Sequence, residues 1–210
     1  MSEYGDMTLD QYRDALASND PTPGGGTAAA VALAQGAALT VMVCNLTEGR
    51  EKWAEGQEAA KAARAVAEPL LERAHVLAHE DAHSFDGVMA AFRMAKETDE
   101  EKAARRSAIH TGTLAAAEVP METARLAFGL LHTLPALAEL GNSNAVTDVG
   151  VASLLASAAC KGALFNVEIN VLGIPDELGA PLKAELDELR ERCRDLSRVI
   201  MSAVHDRMHA

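Results

Sequence analysis

Aromatic side chains are scarce in this chain, with one Trp, two Tyr and four Phe making up 3% of the residues. The core must therefore close through small and aliphatic groups. Cations are also in short supply. Nineteen Lys and Arg face thirty-one Asp and Glu, a formal charge of -12, so no basic face is expected and a nucleic-acid partner is excluded. β-branched runs with a period of two are almost absent, which argues against a sheet. The three cysteines, Cys44, Cys160 and Cys193, are odd in number, far apart and set among apolar residues. They read as buried free thiols of a reducing compartment, not as a disulfide framework. No basic stretch followed by an apolar run opens the chain, so no export signal is expected and a cytoplasmic location is. Residues 27–47 carry no charge and are long enough to span a bilayer. They are rich in alanine, include Gln35, Gly36 and Asn45, and lack aromatic anchors, which fits a buried core helix better than a membrane span.

What is present is apolar and small: 49% of 210 residues are hydrophobic, and alanine dominates. Alanine costs least to fix in a helix, and this length suits one domain with a real core. The expectation is an all-α fold, a single-domain multi-helix bundle over residues 1–210, with long, partly kinked helices packed through small residues. Thr8 reads as the cap of a short first helix. Residues 19–26 (NDPTPGGG) must form a loop, because two prolines and three glycines cannot continue a helix. A long apolar helix follows to about Thr47. A charged helix is expected from Glu51, and Pro69 is expected to open a new segment running to about Ala95. Thr98 with Glu101 forms a capping-box signature, and Pro120 should kink the helix that follows. After a turn at residues 141–144, a second small-residue helix covers about 145–171. The last helix is expected from about Ala180, with Leu182, Leu186, Leu189, Cys193, Leu196, Ile200 and Val204 as its apolar seam.

Residues 79–83 read HEDAH and formally match the two-histidine zinc motif H-E-x-x-H, with His75 one turn earlier. Periodicity decides against a metal. The apolar positions Leu70, Ala74, Leu77, Ala78, Phe85, Val88, Met89 and Phe92 mark a buried face with position 81 on it. His79 and His83 lie two residues either side, about 200° around the helix, and so point away from the core as a polar stripe. The same geometry turns Asp81 inward. A carboxylate among hydrocarbon is costly unless paired, and its pKa should rise toward the range useful for acid–base work. A structural Asp tied to a backbone group is the plain alternative.

Further polar residues interrupt the small-residue helices. Asp148 is the one charge between Glu139 and Lys161, preceded by Asn142 and Asn144. Asn166 and Asn170 share one helical face. Capping accounts for one such residue, but buried amides need partners, and a heterocycle rich in donors and acceptors would supply them. Gly24, Gly25 and Gly26 precede the first apolar helix and would allow close backbone approach and free N–H groups.

Seven stretches together carry a resemblance: PTPGGGTAAA (21–30), MVCNLTEGREKW (42–53), EDAHSFDGVMAAF (80–92), TDEEKAARRSAI (98–109), AAEVPMETAR (116–125), GNSNAVTDVGVA (141–152) and GALFNVEIN (162–170). In this order they resemble the methenyltetrahydrofolate cyclohydrolases and formimidoyltetrahydrofolate cyclodeaminases, and they look closest to the stand-alone bacterial cyclohydrolases. Arg50-Glu51-Lys52 departs from the consecutive lysines of related sequences. The resemblance implies a homodimer that hydrolyses 5,10-methenyltetrahydrofolate reversibly to 10-formyltetrahydrofolate, without metal or redox cofactor. Its folate substrate, with or without a polyglutamate tail, would lie among Gly24, Gly25, Gly26, Asn45, Asn166 and Asn170. Asp81 would be the general base and proton shuttle. Asp148, with Asn142 and Asn144, would orient the pterin or stabilise the cationic bridge, and Arg50 and Lys52 would meet the anionic tail. The alternatives are the sister reaction, ammonia loss from formimidoyltetrahydrofolate, and a non-catalytic folate-binding or helical interaction protein. The resemblance assigns no role to the histidine stripe.

Overall fold

The computed structural model describes residues 4–210, and among these no strand occurs. Thr8 caps α1 (Leu9–Leu16) through a full capping box with Gln11. The glycine loop leads into α2 (Gly25–Thr47), 23 residues long and therefore about 34 Å from end to end. A 3-10 segment (Glu51–Gly56) precedes α3 (Gln57–Ser84), and the short α4 (Asp86–Phe92) follows. The long α5 (Asp99–Leu140) starts at the expected Thr98–Glu101 capping box. Then come a 3-10 turn (Ser143–Ala145), α6 (Val146–Val171) and α7 (Asp176–His209).

The core is as small-grained as the composition requires. Ala60, Ala63, Ala67, Ala117, Ala124, Ala127, Ala152, Ala156, Ala159 and Ala163 are all fully buried between helices, beside leucines such as Leu33, Leu130, Leu131 and Leu134. Small residues let α2 and α6 approach closely. A Cβ on Gly36 would meet the Ala152 carbonyl oxygen at 3.2 Å. Gly25 faces Asn166, Ala29 faces Gly162, and Asn142 donates its backbone N–H to Thr47 Oγ1 at 3.1 Å. These pairings run in opposite directions along the two helices, so α2 and α6 are antiparallel. Cys44, Cys160 and Cys193 are buried free thiols. The seam expected on α7 is buried, with Leu196 partly so.

Three local expectations are corrected. The helix after the 3-10 segment does not break at Pro69 but continues through it to Ser84, because the flanking Ala63, Ala67, Leu70 and Ala74 are buried and packing offsets the lost hydrogen bond. It breaks instead at Phe85. The side chains of Phe85, Met89 and Phe92 are consequently 47%, 41% and 48% exposed and do not continue the buried face. The helix expected around Pro120 is there, and α5 runs through both Pro120 and Pro135. The third correction is that α7 begins at Asp176, one turn before the expected start, with Pro175 in the extended conformation before it.

Candidate active site

Asp81 is turned inward at the end of α3. Its carboxylate Oδ2 accepts a hydrogen bond from Thr27 Oγ1 at 3.0 Å, in the first turn of α2. No side chain caps that helix start, because its cap residue is Gly24. The carboxylate therefore sits where the free N–H groups and the positive end of the helix dipole favour a negative charge. Gly26 makes this possible, since a Cβ there would land on the Asp81 carboxylate. Burial raises the Asp81 pKa above its ordinary 3.8, and the Thr27 hydroxyl and backbone N–H oppose the rise without cancelling it. Ser84 Oγ donates to the Asp81 carbonyl at 2.7 Å and ties down the last turn of α3.

Around the carboxylate is a cleft of about 230 Å³ lined by Gly24, Gly25, Gly26, Ser84, Phe85, Ala116, Pro120, Asn166, Ile169 and Asn170, among others. Asn166 Nδ2 donates to the Gly162 carbonyl at 2.9 Å, and Asn170 Nδ2 to the Ala116 carbonyl at 3.4 Å. Both amides are thus held by their nitrogens, and neither oxygen accepts a bond among the described residues. The cleft is smaller than the ~300–1,000 Å³ that encloses a drug-sized ligand, so it suits the head of a larger molecule. Its chemistry is a general acid–base group with donors and acceptors for a heterocycle.

The other expected site residues are not in this cleft. Because α2 and α6 are antiparallel, Asn45, Arg50, Lys52, Asn142, Asn144 and Asp148 collect at the opposite end of the bundle, roughly 30 Å away along α2. There Asn142 Nδ2 donates to the Leu46 carbonyl at 3.0 Å, and its Oδ1 accepts from the Asn144 backbone N–H. Asn45 Oδ1 accepts from Arg64 Nη2 at 2.7 Å, while the Arg64 guanidinium grips Glu48. Lys52 Nζ lies 4.7 Å from the Trp53 ring centre. Asp148 is half-buried in the first turn of α6.

Thr27 and Tyr12 are site neighbours that the sequence reading passed over. Thr27 was legible as the first hydroxyl after the glycines. Tyr12 had no such signal. Its hydroxyl is buried without a hydrogen-bond partner, and burial, then Tyr4, then Asp81 push its pKa up. The histidine stripe is not simply solvated either. His75 sits against Gly5 in the N-terminal turn, the His79 ring centre is 6.5 Å from that of Tyr4, and the His83 ring lies tilted against His79 with centres 4.5 Å apart. Among the described residues no group of three or more His, Cys, Asp or Glu is placed to hold a metal ion.

A sequence profile described as formiminotransferase-cyclodeaminase matches residues 8–194. The chain belongs to the formiminotransferase-cyclodeaminase family. It is 39% identical over 196 residues to a methenyltetrahydrofolate cyclohydrolase of Methylorubrum extorquens, spanning 90% of this chain and 94% of that one. It is 33% identical over 172 residues to the formimidoyltransferase-cyclodeaminase of Gallus gallus, covering 80% of this chain but 31% of that longer protein. Among solved structures, a formiminotetrahydrofolate cyclodeaminase of Thermotoga maritima superposes with a TM-score of 0.85 at 27% identity, covering 97% of this chain and 98% of that one. Family membership therefore holds over nearly the whole chain, for sequence and fold alike.

Proposed function

We propose that the protein is a methenyltetrahydrofolate cyclohydrolase with Asp81 as its proton shuttle. The observation that carries this reading is the Asp81 carboxylate. It is half-buried, raised in pKa, and fixed by Thr27 and Gly26 beside a heterocycle-sized cleft. The 39% identity to a cyclohydrolase over most of both chains supports the choice of reaction.

The substrate carries a cationic carbon bridging N5 and N10. Asp81 in its charged form accepts a proton from water as the oxygen bonds to that carbon. The protonated carboxyl then gives the proton to N5 as the carbon–N5 bond breaks, leaving the formyl group on N10 and, over the whole reaction, one proton released. A raised pKa brings the group nearer the operating pH, as both halves of this task require. The oxygens of Asn166 and Asn170 are available to the pterin's N–H groups. The chemistry needs no metal or redox cofactor.

The far-end residues enter this reading through a homodimer. On α6 and its C-terminal cap, Val151, Leu154, Phe165, Ile169 and Leu172 form an exposed apolar row, with Val151 47%, Leu154 58% and Phe165 67% exposed. Two copies of α6 packed antiparallel about a point near Ala158 would cover both rows. The partner's Asp148 would then lie opposite residue 168, beside Asn166 and Asn170. A site of Asp81 from one subunit, with Asp148, Asn142 and Asn144 from the other, restores the expected constellation. We also assign the protein to the cytoplasm. Two helices, Gly25–Thr47 and the stretch Ser143–Val171, are long and apolar enough to cross a membrane, yet 50% and 56% of their most apolar windows lie inside the fold.

The likeness to a solved cyclodeaminase favours a second reading, ammonia loss from formimidoyltetrahydrofolate, which forms the same cationic product. An absorbance assay at the methenyl band separates them. Decay of added methenyltetrahydrofolate above the buffer rate supports the hydrolase, whereas appearance of the band from the formimidoyl compound supports the deaminase. Folate binding with neither activity would leave a non-catalytic protein.

A further inference from the structure

We propose that a basic groove formed by Lys96, Lys102, Arg105, Arg106 and His110 is the subsite for the carboxylate tail of the substrate. The inference rests on the folate reading above and deepens it by assigning the end of the molecule that the Asp81 cleft is too small to hold. It moves the tail away from Arg50 and Lys52.

Charge is the first argument. In a chain of formal charge -12, an oligoanion is repelled by most of the surface. Yet Lys96, Lys102, Arg105 and Arg106 line a single hollow of about 430 Å³, together with His110, Ile109 and Gly173. Glu97, Asp99, Glu100 and Glu101 stand on the same segment, but none of them lines the hollow. Lys102 pairs with Asp99 at 3.0 Å, but both side chains are exposed and such a pair is weak. Glu101 is occupied in capping, accepting the backbone N–H groups of Glu97 and Thr98. Arg105 donates to the Phe92 carbonyl through Nε and Nη2, at 3.2 and 3.1 Å, and lies over the Phe92 ring. Its guanidinium is therefore held in place by neutral groups with its charge uncompensated. No carboxylate pairs with Lys96 or Arg106 among the described residues.

Position is the second argument, because three elements lead from the Asp81 cleft to the groove. On α5, Ala116 and Pro120 line the cleft, and Ile109, Arg106, Arg105 and Lys102 follow toward its start. At the end of α6, Ile169 and Asn170 line the cleft and Gly173 lines the groove. Along α4 and the Phe85 that precedes it, Phe85 stands at the cleft and Phe92 at Arg105, with exposed Met89 between them. From Ala116 to Arg106 the helix rises about 15 Å. That is the length of four or five extended residues at ~3.3–3.6 Å each, enough for an aromatic spacer and the first glutamates. The apolar row Phe85–Met89–Phe92 suits the spacer, and the cations suit the carboxylates beyond it.

The test is equilibrium binding of tetrahydrofolate with one, three and five glutamates, compared among wild type, Lys102→Glu/Arg106→Glu and Arg50→Glu/Lys52→Glu. Lys102 and Arg106 are exposed, and circular dichroism checks that both variants fold. The expected result is that wild type binds the pentaglutamate at least tenfold more tightly than the monoglutamate, less so at high salt. The groove variant loses that difference, and the Arg50/Lys52 variant keeps it. The proposal is overturned if wild type ignores tail length, if the groove variant keeps the preference, or if the Arg50/Lys52 variant abolishes it. Tail-dependent binding without methenyl turnover would overturn the proposed reaction but not the groove.

Discussion

Thr27 and Asp81 are 54 residues apart in the chain and meet at 3.0 Å, hydroxyl to carboxylate, where the end of α3 crosses the start of α2. The contact joins the glycine loop to the acid–base group. It also sets two opposing influences on that group, burial raising the pKa and the Thr27 hydrogen bonds lowering it.

Thr27→Val removes the hydroxyl donor while keeping the shape. Hydrogen bonds to the charged form favour it, so their loss raises the Asp81 pKa further. If the charged form is the base, the acidic limb of the kcat/KM profile should move to higher pH, and Thr27→Ser should restore it. An unmoved limb would mean that Thr27 does not tune Asp81.

Gly26→Ala should be favoured by helix propensity by up to ~1 kcal/mol. The added methyl nevertheless occupies the place of the Asp81 carboxylate and must push it aside. Turnover should fall at least tenfold, with no loss of helix content by circular dichroism. Full activity in this variant would show that the carboxylate's position is not critical.

Stability should report the same carboxylate. Its folded pKa is raised above the unfolded value near 3.8, so its contribution is fully present below that pH and is lost as pH rises through the folded pKa. Asp81→Asn cannot ionise, and its amide oxygen can still accept from Thr27. Relative to wild type, its Tm should therefore rise between pH 3 and pH 7. A difference that stays flat or falls across that window would mean that burial does not penalise the charge.

Leu154→Glu places a charge in the middle of the exposed α6 row, 12 residues from Asn166 in the chain. Sedimentation velocity should show a monomer, and turnover should drop at least tenfold although the Asp81 cleft is untouched. A dimer that persists with full activity would remove α6 from the interface.

The helical class and most helix limits were legible, because capping boxes at Thr8 and Thr98 and the alanine-rich runs are local signals. The inward turn of Asp81 was legible too, from the apolar stripe Leu70, Ala74, Leu77 and Ala78 beneath it. The continuation of α3 through Pro69 was not, since a proline's local penalty was outweighed by packing that only the fold reveals. Spacing already sets Asp148 and Asn166 about 27 Å apart on the one helix expected there, but it could not tell which of them lies beside the glycine loop. The antiparallel pairing of Gly25 with Asn166 and of Thr47 with Asn142 gives the loop to Asn166 and leaves Asp148 at the far end. The basic groove escaped notice because Lys96 and Arg105 are brought together by the turn between α4 and α5, amid the acidic residues Asp99, Glu100 and Glu101.

The most direct measurement is the decay of the methenyl absorbance with wild type and Asp81→Asn under identical conditions. Wild type should clear the band well above the buffer rate, and the variant should be slower by ~10²-fold or more, as expected for loss of a general acid–base group. Equal rates for the two proteins would contradict the role given to Asp81.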